Sequence, residues 1–331
     1  MNTHHPNSSE KIMSKKNFAL IGAAGYIAPR HMQAINETGH QLVCALDPSD
    51  SVGILDRYSE NVDFFTDFER FDRHIGLLRR KGDKKIVDYV SICSPNFLHD
   101  AHIRCALRNH ADAICEKPLV LTPWNLDALE EDEQETGHTV YNVLQLRLHP
   151  TIQALQERVK KDSSGARHAI DLSYITRRGN WYHYSWKGDV HRSGGVATNI
   201  GIHFFDMLMW IFGKTERSEV HMAGDKKMAG YLQLKNADVR WFLSVDGADL
   251  PASAVDSGRP TYRCITIDGQ EIEFSDGFTD LHTAVYRDIL AGRGYGIAEA
   301  RPSIELAYDI RGADVSTSGQ EKVHPLALKI I

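Results

Sequence analysis

From Asn17 to about Thr139, short apolar runs alternate with stretches whose apolar positions recur every three or four residues. This is the trace of βαβ units and a parallel sheet. Residues 18–22, 41–46, 87–92 and 111–115 are the expected strands. Between the first two, Ile27, His31, Met32 and Ile35 share one face of a helix expected over 27–38, with Gly39 as its stop. After Tyr141 the rhythm changes. A helix is expected over 150–160 and a strand over 169–176, followed by an irregular aromatic and basic segment and an apolar helix. Strand-like runs then follow at 219–223, 228–234, 239–245, 263–267 and 271–274. Lys235-Asn236 and Asp268-Gly269 are two-residue links that join neighbouring runs as hairpins. The second half therefore reads as α+β, with a large, mainly antiparallel open sheet.

Composition narrows the partners. The 331 residues carry 38 Lys+Arg against 44 Asp+Glu, a formal charge of -6, which leaves no basic footprint for nucleic acid. The apolar run 204–212 is interrupted by Asp206 and falls short of the about 18 residues of a membrane span, so no membrane partner is expected. Five scattered cysteines without CxxC pairs point to a reducing, cytoplasmic compartment. Residues 1–16 are polar and lack an apolar signal core, and are expected to be a disordered leader. His4 and His5 are read as incidental, and no metal is expected.

Gly22-Ala23-Ala24-Gly25-Tyr26-Ile27-Ala28 follows the first strand and opens the first helix. Gly22 permits a tight turn, Gly25 lets backbone approach a pyrophosphate, and the small Ala28 lets helix and strand pack closely. Asp47 stands at the end of the second strand, 22 residues beyond Gly25, where its carboxylate would accept hydrogen bonds from ribose hydroxyls and repel a 2′-phosphate. NAD is the expected cofactor. A bare glycine turn with Asp47 capping a loop would leave the same letters, but not in this order of strand, turn, helix, strand and acid. Pro48 stiffens the loop that follows.

Cys115-Glu116-Lys117-Pro118 places Lys117 at the carboxyl edge of the parallel sheet. There an ammonium can bond a substrate hydroxyl and stabilise the alkoxide that develops as hydride leaves. Asn199, His203 and Asp206, spaced i, i+4 and i+7, are expected on one face of the apolar helix. A histidine there can take the hydroxyl proton, although either residue read alone is equally an ordinary surface lysine or a core histidine. Arg147, Arg177, Arg178, His183, Lys187 and Arg192 supply cations for phosphates or a carboxylate, and Trp181, Tyr182, Tyr184 and Trp186 could stack on a base or a sugar. The same segment could equally pack against another subunit.

These motifs together resemble the Gfo/Idh/MocA family of sugar and polyol oxidoreductases. The resemblance rests on the glycine loop, Ser94-Pro95-Asn96-x-x-His99, Glu116-Lys117-Pro118 and the run from Gly194-Gly195 to Asp206. It implies a Rossmann domain over 17–140 and a substrate-binding and oligomerisation domain over 141–331. It also implies cofactor contacts at Gly22, Ala24, Gly25, Tyr26, Ile27, Asp47, Ser94, Pro95, Asn96, His99, Glu116 and Lys117. Lys117 and His203 would be the catalytic pair, with exchangeable roles, and Lys117, Arg147, Tyr184, Lys187, Asn199 and His203 would meet substrate. Many members carry Asp where this chain has Asn199, which removes an ionised partner. Residues 22–35, 144–150, 181–189 and 199–203 look like the branch that oxidises C3 of UDP-N-acetyl-2-amino-2-deoxy-D-glucuronate for bacterial surface polysaccharide. Some relatives recycle their cofactor with 2-oxoglutarate. Dehydrogenation of a free sugar or inositol is the alternative, and a non-catalytic NAD-binding sensor is a more distant one. The apolar positions Val239, Trp241, Leu243 and Val245 suggest a sheet needing cover on both sides, hence a homo-oligomer, which the resemblance makes a homotetramer.

Overall fold

The computed structural model describes residues 15–163, 165–273, 280–317 and 319–330. Most of the expected leader, and Phe274 of the last expected strand, lie outside them. Strands β1 (Asn17–Ile21), β2 (Gln41–Leu46), β3 (Asp63–Phe65), β4 (Tyr89–Ile92), β5 (Asp112–Cys115) and β6 (Val140–Asn142) form a parallel sheet in the order β3-β2-β1-β4-β5-β6. The order reverses between β1 and β4, so a crevice opens there at the carboxyl ends of the strands. The helices of this half are α1 (Ala28–Glu37), α2 (Phe68–Lys81), α3 (His99–Arg108) and α4 (Pro123–Thr136). Strand alternation sorts the core into two layers. Phe18 and Leu20 meet Met32 and Ile35 of α1 on one face, while Ala19 and Ile21 meet Phe71, Ile103 and Leu126 on the other. The three-residue strands β3 and β6 are too short to show a period of their own.

The second half adds α5 (Pro150–Lys161), β7 (His168–Thr176), short turns over 181–193, α6 (Ile202–Phe212), β8 (Thr215–Ala223), β9 (Lys227–Leu234), β10 (Ala237–Ser244), β11 (Thr261–Ile267) and β12 (Gln270–Glu273). Helices α7 (Leu281–Leu290) and α8 (Ile297–Gly312) follow. The sheet order is β12-β11-β7-β10-β9-β8. Both expected hairpins form, and Asp268 and Gly269 take φ of +50° and +85°, the left-handed pair that a two-residue hairpin favours.

The second sheet is mainly antiparallel, as expected, with one parallel pair, β7 and β10: the chain leaves β7 through α6 and the β8–β9 hairpin before β10 returns beside it. Two expectations need correction. The stripe Val239, Trp241, Leu243 and Val245 is an inner face, packed against Phe204, Phe205, Leu208 and Phe212 of α6. The outer face carries the Asp171–Arg240 ion pair and is covered in part by Val323 and Ala327 of the same chain. Finally, the chain does not stay in the second half after residue 141. Helix α7 returns to the first sheet, where Tyr286 stacks on Phe18 at 5.7 Å and Val285 and Ile289 join the α1 layer.

Residues Val190–Phe212 are long and apolar enough to cross a membrane by length and composition, but 72% of that apolar window is buried inside the molecule, as in the core helix of a globular fold.

Candidate active site

Gly22 follows β1 with φ +91°, and a Cβ there would stand 2.7 Å from the Cys93 carbonyl carbon and oxygen. Only glycine lets the β1–α1 loop rest on the end of β4. The Ala24 N–H donates to Asp47 Oδ2 at 2.9 Å, and the Ser49 N–H donates to Oδ1 at 2.8 Å. The acid thus braces the glycine loop from the end of β2. Helix α1 opens at Ile27 without a side-chain cap, and its start is closed by backbone bonds from Ala28 N–H to the Gly25 carbonyl at 3.1 Å and from Arg30 N–H to the Ile27 carbonyl at 3.0 Å, while Pro29 has no N–H to offer. Tyr26 is 92% exposed beside this loop. The loop geometry and Asp47 fit a dinucleotide.

At the other end of the crevice, buried His99 joins two loops. Its Nδ1 lies 2.7 Å from the Pro118 carbonyl and its Nε2 2.9 Å from that of Ser94. Burial lowers its pKa against the pull of those two carbonyls. The Ser94 hydroxyl pairs with His102, whose pKa burial pushes down to about 4. Asn96, next to Pro95, donates Nδ2–H to the Ser193 carbonyl at 2.9 Å and so ties the first half to the turns before α6.

Glu116 and Lys117 follow β5. The Lys117 ammonium donates to the Asn199 carbonyl at 2.9 Å. Asn199 sits in a π-helical turn, Ala197–Gly201, that leads directly into α6, and a Cβ on Gly201 would be 2.6 Å from Leu243 Cδ1, so the turn lies hard against the second sheet. Burial is the main cause that lowers the Lys117 pKa to about 8; Glu116 opposes it, while Arg178 and Arg263 add to it. His203 is held well below the ordinary imidazole range, first by burial and then by the Lys117 charge, so it is neutral at pH 7. Lys187 lies over the Trp186 ring at 3.8 Å and is likewise lowered to about 8, by burial and then by repulsion from Lys117.

The π turn also separates residues expected to act together. Asn199 Nδ2–H donates to the Tyr182 hydroxyl oxygen at 2.8 Å, whereas Asp206 faces Arg147. Arg147 departs from its expected substrate role. Both residues are buried, Nε and Nη2 donate to Asp206 at 2.9 and 2.6 Å, Nη2 also reaches the Glu299 carbonyl, and the guanidinium lies 4.7 Å from the Tyr295 ring centre. The fork is committed within the protein. Tyr182 is buried, while Tyr184 is 91% exposed. Sequence reasoning missed Arg263, which β11 delivers to the site, and it missed His31, His282 and Tyr286 around Glu116. His31 and His282 donate to the Glu116 carboxylate, and the three ligand-type atoms lie within 4.8 Å, a grouping with the donor types of a metal centre.

Comparison with known proteins bears on this arrangement. Residues 16–143 match the NAD-binding Rossmann fold of the Gfo/Idh/MocA oxidoreductase family, and residues 157–252 match its C-terminal alpha/beta domain. The WlbA (WbpB) dehydrogenase from Thermus thermophilus, solved with NAD and alpha-ketoglutarate, is 50% identical with a TM-score of 0.90, over 94% of this chain and 99% of that one. A second structure of it, with NAD and UDP-GlcNAcA, is 49% identical over the same shares, also at 0.90. The D-glucoside 3-dehydrogenase of Escherichia coli (strain K12) is 29% identical over 128 residues, 38% of this chain, so the match spans 36% of that curated relative. The two matched domains, and identity of one half along nearly the whole chain to a solved dehydrogenase, make this protein a member of the Gfo/Idh/MocA oxidoreductase family.

Proposed function

We propose that the protein oxidises the C3 hydroxyl of UDP-N-acetyl-2-amino-2-deoxy-D-glucuronate to the 3-keto sugar nucleotide with NAD. The observation that carries this reading is the meeting of Lys117 and His203 at the sheet edge. It occurs in a chain that matches, along 94% of its length, a dehydrogenase crystallised with NAD and UDP-GlcNAcA.

In this reading the loop of Gly22, Ala24, Gly25, Tyr26 and Ile27 at the start of α1 holds the pyrophosphate, and Asp47 turns from Ala24 to the ribose hydroxyls. Ser94, Pro95, Asn96 and His99 line the nicotinamide end above Glu116. NAD, when bound, supplies the hydride acceptor. Lys117, cationic below about pH 8, bonds the C3 hydroxyl and stabilises negative charge on its oxygen. His203, neutral at pH 7, accepts the hydroxyl proton. Lys187, Arg178 and Arg263 put positive charge around the same point, which suits a sugar carboxylate and a diphosphate. Exposed Tyr184 is available to a base or sugar face.

A dicarboxylate suits the same cations, so 2-oxoglutarate is the proposed reoxidant. The proposal extends to a cytoplasmic homotetramer whose product feeds surface polysaccharide. Five free cysteines and the partly covered outer face of the second sheet support this extension, and light scattering reads the assembly.

The test mixes purified protein, NAD and the UDP-sugar, with and without 2-oxoglutarate, and weighs the products. Loss of two hydrogens from the sugar nucleotide supports the reading. Turnover of glucose or myo-inositol with none of the nucleotide sugar replaces it.

A further inference from the structure

Beneath Lys117 three residues meet that no local pattern joins. His31 comes from α1, Glu116 from the end of β5 and His282 from α7, and all three are buried. His31 Nε2 and His282 Nε2 lie 3.1 and 2.8 Å from the same oxygen, Glu116 Oε1, while Oε2 accepts the Lys117 N–H at 3.3 Å. Each Nε2 therefore carries its hydrogen. Burial lowers the His31 pKa and keeps the ring neutral, so its Nδ1 is an acceptor, 2.8 Å from the Tyr286 hydroxyl, which in turn pairs with the Ser91 hydroxyl. The donors run one way, from Ser91 through Tyr286 and His31 to Glu116.

A carboxylate out of water stays ionised only if its oxygens are supplied with donors. Burial alone would push the Glu116 carboxyl up; the bonds from His282 and His31 override it and hold the group well below the usual carboxylate range. Among the described residues, the neighbouring titratable groups carry no competing anion. Cys93 beyond β4, Cys115 on β5 and Tyr286 on α7 are pushed up by burial, and His99 on α3 is pushed down. The charges of Arg178 after β7, Lys187 in the turns and Arg263 on β11 act on Lys117 or feel it, as does neutral His203 on α6. Glu116 is thus the negative charge that opposes the loss of a proton from Lys117.

We propose that His31 and His282 are positioning residues that keep Glu116 ionised and aimed beneath Lys117, so that this buried triad sets the pH at which Lys117 changes charge in front of the substrate hydroxyl. The inference deepens the reading of Lys117 given above and rests on it.

The experiment is competitive acetylation of the full chain with acetic anhydride, in the presence of NAD, with Lys117 followed by mass spectrometry. The wild-type midpoint is expected at about 8. His31→Phe and His282→Phe each remove a donor, and each should lower the midpoint by about one unit. His31→Gln and His282→Gln, whose carboxamide nitrogen reaches the place of Nε2, should restore it. Glu116→Gln keeps an oxygen that accepts both imidazole N–H groups but loses the charge. It should lower the midpoint as well, and it decides the matter if the Phe variants do not fold. An unchanged midpoint in Glu116→Gln overturns the proposal. So does stoichiometric Zn²⁺ binding by the wild type that every variant abolishes, because the triad would then be a metal site. The labelling involves no sugar, so failure to oxidise the nucleotide sugar is a separate result.

Discussion

The Lys117 ammonium donates to the backbone carbonyl of Asn199 at 2.9 Å, joining the edge of the parallel sheet to the π turn that opens α6. One bond thereby holds the lysine from the first half against the helix that carries His203 in the second. It also makes the charge of Lys117 depend on groups from both.

The pH dependence of sugar oxidation follows from that charge. Lys117 is cationic below about 8 and neutral above, while His203 has lost its proton well below the ordinary imidazole value. With the ammonium as the hydroxyl's partner, the initial rate stays level from about pH 6.5 upward to the lysine value and then falls about tenfold per unit. A rate that instead rises through that value exchanges the two roles and makes neutral Lys117 the proton acceptor. A profile of kcat against pH reads the difference.

Asn199→Asp places a carboxylate where an amide now donates to Tyr182. The tyrosine hydroxyl can turn to donate in its place, and the added charge beside Lys117 favours the ammonium. The midpoint of Lys117, read from the same profile, should move up by about one unit.

Gly22→Ala meets two obstacles, a φ of +91° and a Cβ 2.7 Å from the Cys93 backbone. The strained conformation alone costs about 1–3 kcal/mol. Thermal unfolding should show a lower midpoint, and NAD titration a loss of affinity, because the same loop would carry the pyrophosphate.

Arg147→Met leaves Asp206 buried without its partner and should cost about 3–5 kcal/mol in urea unfolding. Asp206→Leu should cost as much. The double variant, with two apolar side chains in the same space, should be more stable than either single variant. A loss of sugar affinity in folded Arg147→Met, with little loss of stability, would return Arg147 to the substrate site.

Much of this was legible along the chain. Strand periods located β1, β2, β4 and β5 to within two residues, because both faces of a covered parallel strand must be apolar. The glycine loop, Asp47, Lys117 and His203 could be picked out because each stands at a strand end or a helix start, where backbone geometry constrains the residue type. Arg147 could not be read in this way, since an arginine bound to Asp206 and one awaiting a phosphate are the same letter in the same local pattern.

The sequence by itself determined four strands of the first sheet, the helix after the glycine loop, most strands of the second sheet and the family, because those depend on neighbours within a few residues of one another. Only the tertiary structure decided that β7 and β10 lie parallel, that α7 leaves the second half to pack on Phe18, and that His31 and His282, 85 and 166 residues from Glu116, converge on one of its oxygens. Such contacts leave no periodic trace. They arise when buried surfaces and buried charges from distant segments must be satisfied together, and only the folded chain brings those segments within reach.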